Sequence, residues 1–162
     1  MKKLLFLLLI IMLVYLSVSL YFLDRIYFIC PIEYKGDAVI RHDSRGDGFF
    51  ASRRNGHRVH EGIDLYAEIG SPVLACRSGR IIAARENRGM GNYIIIRHPG
   101  NLISVYGHLS QIYVAKNTFV RQGEVIGSVG KTGNANHRDI QPHLHFEVRK
   151  DGVPQDPLEY LE

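Results

Sequence analysis

The chain has 162 residues, of which 46% are hydrophobic and 22% charged, enough for one folded domain and an appendage. Its formal charge of +4 includes Lys2 and Lys3, and no clustered basic stripe follows them, which argues against nucleic acid as a partner. Two cysteines, Cys30 and Cys76, are too few for a disulfide framework or a cysteine-built metal site.

Residues 4–23 carry no charge. A helix of that length rises about 30 Å, the thickness of a hydrocarbon core, so residues 1–23 are expected as one N-terminal transmembrane helix. Lys2 and Lys3 would hold the N-terminus in the cytoplasm and leave the rest outside. The competing expectation is a cleaved signal sequence with Ser17-Val18-Ser19 at the cleavage site. Leu20-Tyr21-Phe22-Leu23 continues the apolar run past that site, which favours a retained anchor. Cys30 does not suit lipidation, because bulky Tyr27-Phe28-Ile29 precedes it. A Cys30–Cys76 bridge is open in an oxidising compartment, whereas Cys76 within Val73-Leu74-Ala75-Cys76 reads as a buried thiol.

Residues 24–48 hold no sustained period and read as a juxtamembrane connector, with His42 on the surface. From Phe49 to Glu162 the pattern is that of one all-β domain. Short runs rich in Val and Ile recur between glycines at Pro72–Cys76, Arg80–Ala84, Tyr93–Arg97, Leu102–Tyr106, Val125–Val129 and Leu144–Val148. That spacing predicts antiparallel sheets. Only Ser110–Ala115 suggests a short helix, and Pro154, Pro157 and Leu158 suggest a closing tail.

The chemistry concentrates in three places. In Gln141-Pro142-His143-Leu144-His145-Phe146-Glu147-Val148 the alternation puts His143, His145 and Glu147 on one strand face, with Leu144 and Phe146 on the other. His60-Glu61-Gly62-Ile63-Asp64 adds an imidazole and a carboxylate, and Tyr106-Gly107-His108-Leu109 adds another imidazole. Neutral imidazole and carboxylate are the ligand types of catalytic zinc. Any one of these motifs alone is matched by ordinary structural histidines; three in order are far more specific.

That order, His-x-x-x-Asp, Tyr-x-His-Leu and His-Leu-His-Phe-Glu, resembles the lysostaphin/LytM-type zinc endopeptidases of family M23, over roughly residues 45–160. The resemblance implies a half-barrel or sandwich of antiparallel sheets and one Zn2+ per chain. It also implies a substrate among the peptide stems or cross-links of bacterial peptidoglycan. By position, His60, Asp64 and His145 would be the metal ligands, and His108 and His143 the catalytic histidines. Glu147 is expected to hydrogen-bond a ligand imidazole from behind. His57 and Arg58 are candidates for the cleft mouth, and His98 reads as structural and Tyr106 as packing. Glu61 is not a metalloprotease base, since His-Glu-x-x-His is absent.

The segment Asn134-Ala135-Asn136-His137-Arg138-Asp139-Ile140-Gln141 is long and charged beside the family's usual short connection. It makes His137 and Asp139 candidates for substrate contact. Two rivals remain. A non-catalytic M23-fold regulator of other wall hydrolases is disfavoured by the intact ligand set. A biotinyl or lipoyl carrier, suggested by Gly123-Glu124-Val125-Ile126-Gly127, is disfavoured because Lys131 lacks a neighbouring methionine.

Overall fold

The computed structural model of the chain describes residues 2–21, 28–54 and 58–161. Helix α1 spans Lys2–Tyr21, and its side chains from Leu4 to Leu16 are exposed and apolar on every face. Among the described residues, no helix is long and apolar enough to cross a membrane. The uncharged side chains that are described end at Ser17, about 21 Å of helical rise against a core of roughly 30 Å. The expected span is therefore not met by the described part, and Phe22 and Leu23 lie outside it.

From Phe28 the chain is mostly antiparallel β, as the alternation predicts. Strands β1 (His42–Asp43) and β2 (Gly46–Asp47) pair as a small ribbon. Nine more strands share one sheet: β3 (Ile63–Tyr66), β4 (Pro72–Leu74), β5 (Gly79–Asn87), β6 (Gly91–Arg97), β7 (Leu102–Ile112), β8 (Phe119–Val120), β9 (Val125–Val129), β10 (His143–Lys150) and β11 (Val153–Gln155). Ile63, Leu65, Ile81, Ile94, Ile96, Tyr106, Leu109, Ile126, Leu144, Phe146 and Val148 bury their side chains in one core. Tyr106 is packing, as expected, and its hydroxyl accepts from the Cys76 amide at 3.0 Å. His98 is structural too, bonded to the Ser78 carbonyl at 2.9 Å and the Ser104 hydroxyl at 2.7 Å. Cys30 and Cys76 are free thiols, and burial pushes Cys76 up to about 12.

Two expectations need correcting. Ser110–Ala115 does not turn helical, because Leu109, Gln111 and Ile112 of β7 pair with β9. The stretch expected as a connector, 24–48, is laid into the domain over its described part. Phe28 donates to the Tyr160 carbonyl, Ile29 to that of Cys76, and Pro31 accepts from Leu74. Beyond these, Ile40 bridges Leu65, and Val39 accepts from Tyr66 at 2.8 Å. Residues 39–41 thus cover the edge of β3 that β10 leaves open, which satisfies backbone groups an exposed edge would not.

Phe28 is only 2% exposed and packs among core residues. Phe28→Ala should lower the unfolding free energy by about 3 kcal/mol, the usual cost of emptying an aromatic site. Denaturant unfolding of the full chain in detergent measures it, and a loss below about 1 kcal/mol would mean that the segment is not part of the cooperative unit.

Candidate metal centre and cleft

Strand register builds the site. His145 of β10 lies directly opposite Asp64 of β3 on one side and Gly107 of β7 on the other. The period-two alternation of β10 puts His143, His145 and Glu147 on this face, while Leu144, Phe146 and Val148 enter the core with no exposure. His60 arrives from the loop before β3. Gly62 lets that loop approach, since a Cβ there would stand 2.3 Å from the Phe146 carbonyl oxygen. His108 follows Gly107 in β7, so all five residues expected at the site are brought together.

Three atoms converge. His60 Nε2, Asp64 Oδ1 and His145 Nδ1 are separated by 3.0, 2.9 and 3.0 Å. Each ring nitrogen on the far side is committed elsewhere. His60 Nδ1 donates to the Phe49 carbonyl at 2.9 Å, and His145 Nε2 donates to Glu147 Oε1 at 3.0 Å. With those bonds in place, loss of the inward protons would leave both inward nitrogens as lone pairs beside a carboxylate oxygen. Three acceptors at such range repel one another unless protons or a cation sit among them. A tetrahedral ion with bonds of 2.0–2.1 Å spaces its ligands by about 3.3 Å, so the triangle fits a zinc-sized ion after slight opening. The backing by a carbonyl and a carboxylate is what orients metal-binding imidazoles. His60, Asp64 and His145 are thus a group able to hold a metal.

The charges agree. Burial alone would raise Asp64, but hydrogen bonds from His145 and His60 hold it well below the usual carboxylate range. Its other oxygen, Oδ2, accepts from Arg41 Nη2 at 3.0 Å and Arg54 Nη2 at 3.1 Å. Burial opposes the charged form of His145, yet the bonds to Asp64 and Glu147 carry it up to about 9. Glu147 is lowered against its own burial by His145 and Arg149. Across the site, burial first, then the neighbouring His143 and His145, push His108 down to about 3. Burial likewise lowers His143. These two rings stand 5.0 Å apart and donate from Nδ1 to the Thr132 carbonyl at 3.0 Å and the Gln141 carbonyl at 2.7 Å; His143 Nε2 stands 3.8 Å from Asp64 Oδ1, and neither Nε2 makes a hydrogen bond among the described residues.

The cleft above these groups encloses about 860 Å3. Arg58 and His137 line it as expected, and Asp139 sits beside it, paired with Arg45 at 3.4 Å. His57 lies outside the described residues. Sequence reasoning missed Arg41, Arg45, Arg53 and Arg54, which also line the cleft. Arg41 and Arg45 fell in the presumed connector. The available signal was Ala38-Val39-Ile40, a short apolar run before Arg41 that marks an edge segment rather than a linker.

Residues 58–157 match the model of peptidase family M23. The chain is 39% identical over 115 residues to the Lipoprotein NlpD/LppB homolog of Pseudomonas aeruginosa, covering 70% of this chain and 36% of that protein. It is 44% identical over 101 residues to the DD-carboxypeptidase/endopeptidase Mpg of Neisseria meningitidis serogroup B, covering 62% and 22% respectively. With the Murein hydrolase activator NlpD of Escherichia coli it shares 36% over 103 residues, 63% of this chain and 26% of that one. A solved structure of a zinc containing peptidase from Vibrio cholerae superposes with a TM-score of 0.68 at 32% identity, over 82% of this chain and 39% of that one. The chain therefore spans well under half the length of each of these proteins. The family match takes in more than half of the chain and contains His60, Asp64, His108, His143 and His145 together: the chain belongs to peptidase family M23.

Proposed function

We propose that this chain is a zinc endopeptidase that hydrolyses peptide stems or cross-links of bacterial peptidoglycan. The observation that carries the reading is the convergence of His60 Nε2, Asp64 Oδ1 and His145 Nδ1, with both imidazoles oriented from behind. His60, Asp64 and His145 would hold the ion. When bound, zinc lowers the pKa of water toward neutrality and polarises a carbonyl oxygen. His108 and His143 are kept neutral by burial, so at pH 7 each offers Nε2 to receive a proton. Once charged, the same ring can stabilise a developing oxyanion and return the proton to the leaving amine. Arg41 and Arg54 keep Asp64 ionised and oriented.

Peptidoglycan as substrate rests on the relatives, of which one is named an endopeptidase and another a murein hydrolase activator. The envelope as location rests on the lipoprotein relative and on the uncharged run 4–23 behind Lys2 and Lys3. In this reading α1 and the residues after it are a retained anchor, with the domain outside the cytoplasmic membrane. Carbonate extraction of cells tests that: intact chain in the carbonate-resistant pellet is expected, and a shortened soluble chain would replace the anchor by a cleaved signal.

The full chain, purified in detergent, should carry one zinc. It should release muropeptides from wall material, and a chelator should stop that release. His145→Ala should lose both metal and cleavage. His108→Ala and His143→Ala should keep the metal and lose cleavage by roughly 10²–10⁴-fold, the usual share of a general base or acid. Bound zinc with no cleavage of any wall preparation would favour a non-catalytic regulator of other wall hydrolases. Folded protein that never binds zinc would end the metallopeptidase reading.

Zinc loading should also release protons. His145 titrates at about 9 before metal enters, so below that pH its proton must leave before Nδ1 can bind. About one proton per zinc is expected at pH 7. Affinity should rise about tenfold per pH unit up to pH 9 and then level off. Titration calorimetry in buffers of different ionisation enthalpy reads the proton count; none released would overturn the reading that His145 must shed a proton to bind.

A further inference from the structure

The geometry points to a carboxylate-binding subsite on the wall of the cleft, built by Arg53 and Arg58. Residues 51–54 and 58–60 pair as two arms. Ala51 donates to the His60 carbonyl, His60 to that of Ser52, and Arg54 to that of Arg58, while Arg53 bridges Val59. The return arm ends on His60, one of the three candidate ligands, so the arginines of these arms stand within a few residues of the reacting centre.

The cleft's ionised groups can be matched one against another. Asp64 is held by Arg41 and Arg54, Asp43 by Arg41 at 2.6 Å, and Asp139 by Arg45. Glu147 and Glu61 are both held by Arg149, each at 2.7 Å. Arg54 also donates from Nη1 to the Asp47 carbonyl at 2.7 Å. Arg53 and Arg58 remain. Both are exposed and line the cleft, and among the described residues neither has an acidic partner. Asn134, His137 and Ile140, which also line the cleft, bring no carboxylate.

Two unmatched guanidinium groups in a concave site raise the local potential and favour an anion there. Their planar donors suit carboxylates. Carboxylates are the anions that peptides carry, and the cleft surrounds a candidate peptidase centre. The assigned ligand is therefore a peptide with a free carboxylate beside the bond to be cut. The placement beside that bond rests on the peptidase reading, whereas the binding itself does not require turnover.

The test uses the zinc-loaded full chain in detergent and two fluorescent pentapeptides of alternating Ala and Glu or alternating Ala and Gln, both with amidated C-termini. Anisotropy should show the Glu peptide bound at least about tenfold more tightly, with the gap narrowing as salt is raised. In Arg53→Gln/Arg58→Gln the gap should close while zinc content and the circular dichroism spectrum stay as in the parent. Arg53→Lys/Arg58→Lys should retain part of it. Equal affinity of the parent for the two peptides, or an undiminished gap in the Gln variant, would overturn the subsite. Displacement of the Glu peptide by millimolar inorganic phosphate as readily as by acetate-capped Glu would make it an unselective anion site, against the proposal. Wall cleavage by the parent is scored separately, so loss of the enzyme reading would be visible as such.

Discussion

Asp64 and His145 face each other across β3 and β10, and everything else at the centre depends on that register. Because side chains alternate with period two, a slip of one residue would turn His143, His145 and Glu147 into the core and Leu144 and Phe146 out of it. The apolar face of β10 therefore fixes the chemistry on the polar face. Leu144, Phe146 and Val148 are without exposure, so their burial holds the strand in the one register that makes an Asp–His pair.

The pair is also an electrostatic unit. Asp64 receives two imidazoles on Oδ1 and two guanidinium groups on Oδ2, which keeps a buried carboxylate ionised where burial alone would neutralise it. The positive charge behind it is as necessary as the ligands in front. Arg41 comes from the segment before the domain's first long strand, and its backbone donates to the Asp64 carbonyl at 2.8 Å while its side chain grips the carboxylate. The Gly48 amide donates to Arg41 in turn, and Asp64 donates to Gly48. A segment that looks ancillary by composition thus clamps a candidate ligand from both backbone and side chain.

What was legible in the sequence follows the range of the interactions. The alternation of β10 was visible because it is local, and so were the runs Arg80–Ala84, Tyr93–Arg97 and Val125–Val129, which fall within the longer β5 and β6 and coincide with β9. The residues of the candidate site were picked out by their motifs, and the fold brings them together. The role of residues 28–48 was not legible, since their hydrogen bonds go to Cys76, Leu74, Tyr66 and Tyr160 and no local period records them. Ser110–Ile112 misled for the same reason: a polar opening with a short run fits a helix turn, and only pairing to β9 decides for strand.

His108 marks the place where local pattern fails outright. In a regular strand it would point opposite to Gly107 and enter the core with Tyr106. Between the pairs Asn92↔Leu109 and Ile94↔Tyr106, however, β7 spends two residues against one on β6. That bulge takes His108 to φ +62°, a conformation uncommon outside glycine, and the Met90 carbonyl holds its amide at 2.8 Å. Tyr106 and Leu109, three apart, both enter the core, and Gly107 and His108 both belong to the site side, the His108 ring 5.8 Å from that of His145. The same kink is where β7 leaves β10 and takes up β9. A strained residue of this sort costs on the order of 1–3 kcal/mol and persists only where its surroundings over-determine it. Here the change of partner strand between Gly107 and Leu109 and the Met90 carbonyl supply that constraint. The bend that closes the sheet and the turn that aims the imidazole are one event.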